Sequence, residues 1–255
     1  MKRSRGLTSN SSFGSWIAGC KPNPQARLRL FCFPYAGGSA SVFRDWSDGL
    51  PADVEVCPVQ LPGRGTRLME PPYSQLPPLI ETLAEALLPL LDKPFALFGH
   101  SLGALVSFEL ARQLRAKHQA RPVRLIVSAG PAPQIPHSGP PIHNLPEPEF
   151  SAELLRLNGT PRELLDHKEL MDIVLPSLRA DFALYEGYEY STAPPLNCPI
   201  STYGGLNDQK VTHNDLEAWR DQTSVSFSIR MFPGDHFFLK TTQSLLLRAL
   251  SRELR

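Results

Sequence analysis

Six short runs of apolar, β-branched or aromatic residues are separated by longer stretches with apolar residues at helical spacing, and this alternation leaves few architectures open. "RLRLFCFP" (27–34), "VEVCPVQL" (54–61), "FALFGH" (95–100), "RLIVSAG" (124–130), "ISTYGG" (200–205) and "SFSIRMF" (226–232) predict strands. "LPPLIETLAEALLPLL" (76–91), "GALVSFELARQLRAKH" (103–118), "THNDLEAWRDQ" (212–222) and "TQSLLLRALSREL" (242–254) predict helices. Strands alternating with helices imply an α/β fold: a mostly parallel central sheet covered by helices on both faces.

One stretch departs from the alternation. Residues 134–195 show no strand pattern but two helical ones, "EPEFSAELLRLN" (147–158) and "KELMDIVLPSLRADFALYEGY" (168–188), bracketed by the Pro-rich segments 130–141 and 192–199. An all-helical insertion of this length exceeds an ordinary loop, and we read it as a lid. The division is then a flexible tail over 1–24, in which Trp16 alone docks, a core built from 25–133 and 196–255, and a lid insertion over 134–195.

Composition excludes several function classes. The 26 basic and 25 acidic residues are interspersed and give a net charge of +1, so no electrostatic case for nucleic acid arises. The four cysteines show no paired spacing and read as reduced thiols. The basic start lacks the apolar centre of a signal peptide, and no apolar run approaches the roughly 20 residues of a membrane span. We therefore expect a cytoplasmic monomer that does not meet membrane, and the sequons at Asn10 and Asn158 then carry no chemistry.

Residues 99–103, "GHSLG", match G-x-S-x-G between a strand and a helix. A serine on so sharp a turn is held above the sheet at a helix N-terminus, and the flanking glycines let neighbouring backbone pass without Cβ clashes. Ser101 is the candidate nucleophile. A serine hydroxyl needs a base, and the base needs an orienting acid. Of the seven histidines, His236 lies in a Gly-containing loop between the last strand and the terminal helix, at the carboxyl edge of the sheet where sites of such folds gather. The others (His100, His118, His137, His143, His167 and His213) read as surface or packing residues. Asp208, in the loop after "ISTYGG", is the candidate acid; Asp215 and Asp221 fall on a helix, and Asp235 diverges from its neighbour His236. The backbone N–H groups of Leu102 and of Ala36, in "FCFPYAGGSA", are the candidate oxyanion donors. Neither G-x-x-x-x-G-K-[ST] nor G-x-G-x-x-G occurs in the chain, so a phosphate cradle is not expected.

"FCFPYAGGSASVFRDW", "PVQLPGRGTR", "FALFGHSLGALVSFELAR", "LRADFALYEGY", "YGGLNDQKV" and "FPGDHFFL" together resemble the stand-alone, type II thioesterases of polyketide and nonribosomal peptide synthases. The resemblance runs from about Trp16 to the final helix. It implies an α/β-hydrolase with a helical lid and a Ser101–His236–Asp208 triad. It also implies hydrolysis of acyl thioesters held on the phosphopantetheine arm of acyl or peptidyl carrier proteins, releasing stalled or misloaded acyl groups. No metal or redox cofactor is called for. The family often carries an acidic residue where this chain has Asn207. An acyltransferase using the same acyl-enzyme and a non-catalytic carrier-binding protein are the alternatives. Arg64 and Arg67 in "LPGRGTR" fit equally a carrier contact or a solvated loop, and Leu154, Leu155, Met171, Leu178, Phe182 and Tyr185 either line an acyl pocket or pack as core.

Overall fold

The computed structural model describes residues 14–137, 139–157, 159 and 167–255. Asn10, Asn158 and the first thirteen residues of the expected tail lie outside them.

Six strands form one sheet: β1 (Leu28–Phe33), β2 (Val54–Pro58), β3 (Phe95–His100), β4 (Arg124–Ser128), β5 (Ile200–Gly205) and β6 (Phe227–Phe232), in the order β2-β1-β3-β4-β5-β6. All five pairings are parallel. Every residue of β1, β3 and β5 is buried, as expected for parallel strands covered on both faces. β6, at the edge, alternates partly exposed and exposed positions until Phe232.

The pleat divides the core. Phe31 and Phe33 of β1 join Leu97, Leu125 and Val127 on one face, packed against α1 (Leu76–Leu87) and α2 (Leu102–His118). Leu28, Leu30 and Cys32 point the other way, with Ala96, Phe98 and Ile126, onto Phe43, Trp46 and the chain-terminal helix. The burial stripe of α1, Leu76, Leu79, Ile80, Leu83, Leu87, follows the helical period that the sequence shows.

The segment 134–195 holds α3 (Glu147–Leu157) and α4 (Lys168–Glu186) and, among its described residues, no strand. Phe150, Leu154, Met171 and Leu178 give these helices a small core of their own. After β5 come α5 (His213–Glu217), then α6 (Phe238–Thr241) and α7 (Gln243–Glu253) beyond β6.

Residues 14–24 are held more firmly than a tail with one docked residue. Ile17 pairs antiparallel with Val59, Gln60 N–H donates to Trp16 O at 2.8 Å, and Ala18 N–H donates to Pro58 O at 3.1 Å. A single bridged residue leaves no periodic signature, so Ser- and Gly-rich composition misleads there.

β1 is flanked by β2 on one side and β3 on the other, so the chain reverses its direction of winding between β1 and β3. The crevice beyond the carboxyl ends of strands at such a switch point is where ligands gather in open α/β sheets. The loop carrying Ala36 leaves β1 and the turn carrying Ser101 leaves β3, side by side.

Candidate active site at the carboxyl ends of the strands

Ser101 joins β3 to α2 with φ 54 and ψ −117, a region that L-residues rarely occupy. The surroundings enforce it. Ser101 N–H donates to Ser128 O at 2.8 Å and Ser101 O accepts from Ala104 N–H at 2.9 Å. The motif's glycines are steric necessities: a Cβ on Gly99 would lie 2.0 Å from Gly103 O, and one on Gly103 would lie 2.2 Å from Phe33 O.

The three candidate side chains meet. His236 Nε2 lies 3.0 Å from Ser101 Oγ, and His236 Nδ1 lies 2.8 Å from Asp208 Oδ2. A carboxylate only accepts, so Nδ1 carries the hydrogen and Nε2 is left to accept from the serine hydroxyl. The Asp208 side chain is wholly buried, and its other oxygen accepts from the N–H groups of Lys210 (2.8 Å) and Val211 (3.3 Å). Burial pushes this carboxyl up, but the hydrogen bond from His236, with the two backbone N–H groups, outweighs it and holds the group below its ordinary value. Asp208 therefore stays ionised and fixed. Asn207 is exposed, its backbone N–H bound to Gly234 O at 2.9 Å.

The loop bearing His236 can approach so closely because β5 ends in glycine: a Cβ on Gly205 would lie 2.3 Å from Asp235 O. His100 locks that loop from below. Its Nε2 lies 3.0 Å from His236 O and its Nδ1 2.9 Å from Ser128 Oγ. Because the carbonyl must accept, Nε2 carries the hydrogen and Nδ1 accepts from the Ser128 hydroxyl. Burial above all, with the nearby ammonium of Lys240, pushes His100 well below the usual histidine value, so it is neutral. Two of the other candidate carboxylates have partners elsewhere. Asp215 caps α5 together with Thr212, and Asp235 accepts from Phe237 N–H.

A cavity of about 540 Å³ opens over Ser101, lined by Ala36, Leu102 and His236 below and by Leu154, Leu178, Phe182 and Tyr185 of the helical insertion above. Leu102 is the first residue of α2, so its N–H has no acceptor within the helix. A second hollow of about 560 Å³, lined by Tyr185, Tyr188 and Tyr190, also reaches Ser101. Leu154, Leu178, Phe182 and Tyr185 thus face the cavity, whereas Met171 packs inside the insertion and Leu155 is 48% exposed.

A family profile described as "Thioesterase domain" matches residues 28–254. The chain belongs to the thioesterase family. It is 47% identical over 249 residues to "Gramicidin S biosynthesis protein GrsT" of Aneurinibacillus migulanus, which covers 98% of this chain and 97% of that one. Among solved structures, the RedJ thioesterase from the prodiginine pathway of Streptomyces coelicolor superposes with a TM-score of 0.84 at 42% identity, covering 89% of this chain and 91% of RedJ. "Type II thioesterase BorB from the borrelidin biosynthetic cluster" gives a TM-score of 0.86 at 36% identity, covering 94% and 98%. The fold is that of the α/β-hydrolases, and the thioesterase acts as a hydrolase on thioesters.

Two features of this thioesterase lie outside the motif reading. Arg64 and Arg67 are neither solvated nor turned outward, each being 7% exposed. Arg67 pairs with Glu70 and lies 3.9 Å above the Trp16 ring, while Arg64 pairs with Asp181 of α4. Neither of the two alternatives open for them, a carrier contact or a solvated loop, describes these buried, paired side chains. Asp181 itself was not singled out, although it falls on the buried stripe of α4 between Leu178 and Leu184. A carboxylate at helical spacing among apolar residues was the available signal. Among the described residues, no helix is long and apolar enough to cross a membrane.

Proposed function

We propose that this thioesterase clears acyl groups from the phosphopantetheine arms of acyl or peptidyl carrier proteins in a polyketide or nonribosomal peptide synthase, acting as a cytoplasmic monomer through an acyl-enzyme on Ser101. One observation carries the reading: the Ser101–His236–Asp208 hydrogen-bond chain opens into an apolar cavity roofed by the helical insertion. The relatives named above belong to gramicidin S, prodiginine and borrelidin biosynthesis, which is the setting the reading assumes.

The geometry supports the following steps. His236 Nε2 takes the Ser101 proton as Oγ attacks the thioester carbon, and the N–H groups of Ala36 and Leu102 receive the oxyanion. Each such donor is worth roughly 3 kcal/mol of barrier. Collapse breaks the C–S bond, and the departing thiolate takes the proton back from His236. Water then enters, gives its proton to His236 and attacks the acyl-serine, releasing a carboxylic acid and restoring Ser101. Asp208 stays ionised throughout, holding the ring and stabilising the imidazolium. A thiolate leaves far more readily than an amine, so this apparatus needs no metal and no redox cofactor.

The insertion acts in this reading as a lid, its apolar side chains holding the acyl group. A panel of carrier proteins loaded with acyl groups of graded length and polarity tests the assignment. Release of free acid from short or non-cognate acyl carriers is expected, and adding amine or alcohol acceptors should not change the product. Acyl transfer to such an acceptor in preference to water would replace hydrolysis with an acyltransferase activity.

A further inference from the structure

The backbone turn that follows β1 is gripped from outside by one buried ion pair. Gly37 N–H donates to Asp181 Oδ2 at 2.7 Å, and Gly38 O accepts from Arg64 Nη1 at 3.4 Å. Arg64 and Asp181 join through Nη1–Oδ2 at 2.5 Å and Nη2–Oδ1 at 2.7 Å. Asp181 is wholly buried, and Arg64 also donates from Nε to Pro62 O at 3.3 Å. The turn after β1, the loop after β2 and helix α4 of the insertion thus converge on a single carboxylate.

For stability alone this arrangement is a poor choice. Two charges withdrawn from water are offset only when their geometry is excellent, and an apolar pair of similar volume usually stabilises a fold as well or better. What the ion pair supplies that an apolar pair lacks is direction. The turn closes through Gly38 N–H to Tyr35 O at 2.8 Å, which fixes the Tyr35–Ala36 peptide from its carbonyl side. A trans peptide is planar, so its N–H, that of Ala36, points the opposite way. Gly37 N–H, held by Asp181, anchors the Ala36–Gly37 peptide, and Gly38 O, held by Arg64, anchors the Gly38–Ser39 peptide, so the tilt of the Ala36 N–H is set by groups that touch no substrate. Helix α4 lies directly on this turn: Gly37 has φ +75, and a Cβ there would lie 2.5 Å from Leu178 Cδ2, one helical turn before Asp181.

We infer that Arg64 and Asp181 are positioning residues for the Ala36 oxyanion donor, and that they make the second half of α4 and the turn after β1 one mechanical unit. The inference rests on the reading of Ala36 N–H as an oxyanion donor. Its consequence is that the insertion is not wholly free of the catalytic floor. Displacing α4 at residues 178–181 unseats Gly37 and misaims its neighbour, while leaving the Ser101–His236–Asp208 chain intact.

Asp181→Asn, Arg64→Lys and the apolar pair Arg64→Met/Asp181→Leu test this in the full chain. An oxyanion donor moved out of line costs rate at the tetrahedral stage, so Asp181→Asn and Arg64→Lys should lower kcat by about 10- to 100-fold with KM changed by less than about threefold. A decaneboronic acid probe forms a tetrahedral adduct as Oγ adds to boron and its proton passes to His236, placing one boron-bound oxygen at the oxyanion donors. Its affinity should fall in parallel with kcat/KM. A merely structural pair would behave differently, because the apolar pair would then recover both melting temperature and kcat; we expect it to recover folding and keep the low kcat. Wild-type kcat in folded Asp181→Asn, or in the folded apolar pair, overturns the inference. Near-wild-type turnover by Ser101→Ala would instead overturn the acyl-enzyme reading beneath it, so the two failures are distinguishable.

Discussion

The Cβ that Gly103 lacks would lie 2.2 Å from the carbonyl oxygen of Phe33, which makes the last glycine of the serine turn a contact between helix α2 and strand β1. Neither partner can yield, since both are backbone. Gly103→Ala should therefore cost about 1–3 kcal/mol of stability, lowering the melting temperature by roughly 2–4 °C per kcal/mol. It should also reduce kcat by tilting Ser101 away from His236. Thermal unfolding and steady-state kinetics on the same sample check both, and an unchanged melting temperature would contradict the packing described here.

Asp208 and Asn207 are adjacent but unequal. Asp208 bonds His236 at 2.8 Å from a buried position, while Asn207 is exposed. Asp208→Asn should favour the wrong imidazole tautomer and lower kcat by roughly 10⁴-fold, with little change in fold. Asn207→Ala should stay within about threefold of wild type, as surface changes usually do. Reversed effects would move the orienting acid by one residue.

His100 predicts a pH dependence of stability. Its folded value is depressed well below the ordinary 6.5, so the unfolded chain binds a proton that the folded chain refuses. Stability from this group is complete above about pH 6.5 and is lost as pH falls from there toward the folded value. His100→Gln, whose amide can still donate to His236 O and accept from Ser128, should flatten that decline. Parallel denaturant curves from pH 7.5 to 5 measure it, and equal pH slopes for the two proteins would show that His100 does not titrate on unfolding.

The carrier reading predicts a preference between substrates that share one acyl group. Binding energy from the carrier and its arm is available to the reacting centre only when both are attached. An acyl carrier should exceed the same acyl group on a small thiol by about tenfold or more in kcat/KM. Cross-linking α3 to the core across the cavity should suppress both. Equal values with no effect of the cross-link would leave a thioesterase indifferent to carriers.

Much of this was legible before the structure. "FALFGH" is β3 residue for residue, and the alternation around it fixed a parallel sheet whose carboxyl edge would hold Ser101, Asp208 and His236. Those three lie in loops next to strong strand and helix signals, so local pattern located them. Arg64 and Asp181 are separated by 117 residues, and nothing in the spacing of either announces the other. The clue was local and physical: Leu178, Asp181 and Leu184 recur at three-residue steps on one buried face, and a carboxylate there demands a cation. The sequence leaves His100 as a surface or packing residue; it is a packing one, and its two hydrogen bonds depend on how β4 and the His236 loop come together in space. Residues 14–24 escape for the opposite reason, since their hold on the end of β2 and the loop after it is one bridge of two backbone hydrogen bonds, with Asn23 N–H donating to Glu55, and no composition reveals it.

In the proposed cycle Ser101 carries the acyl group. Mixing the His236→Ala or wild-type enzyme with a slowly released acyl carrier, quenching in acid and mapping the digest by mass spectrometry tests it directly. The wild-type peptide containing Ser101 should gain the mass of the acyl group within one turnover and lose it as free acid appears. His236→Ala should gain it far more slowly, and Ser101→Ala should neither gain it nor turn over above roughly 10⁻⁶ of the wild-type rate. Free acid released by Ser101→Ala at close to the wild-type rate would contradict the account.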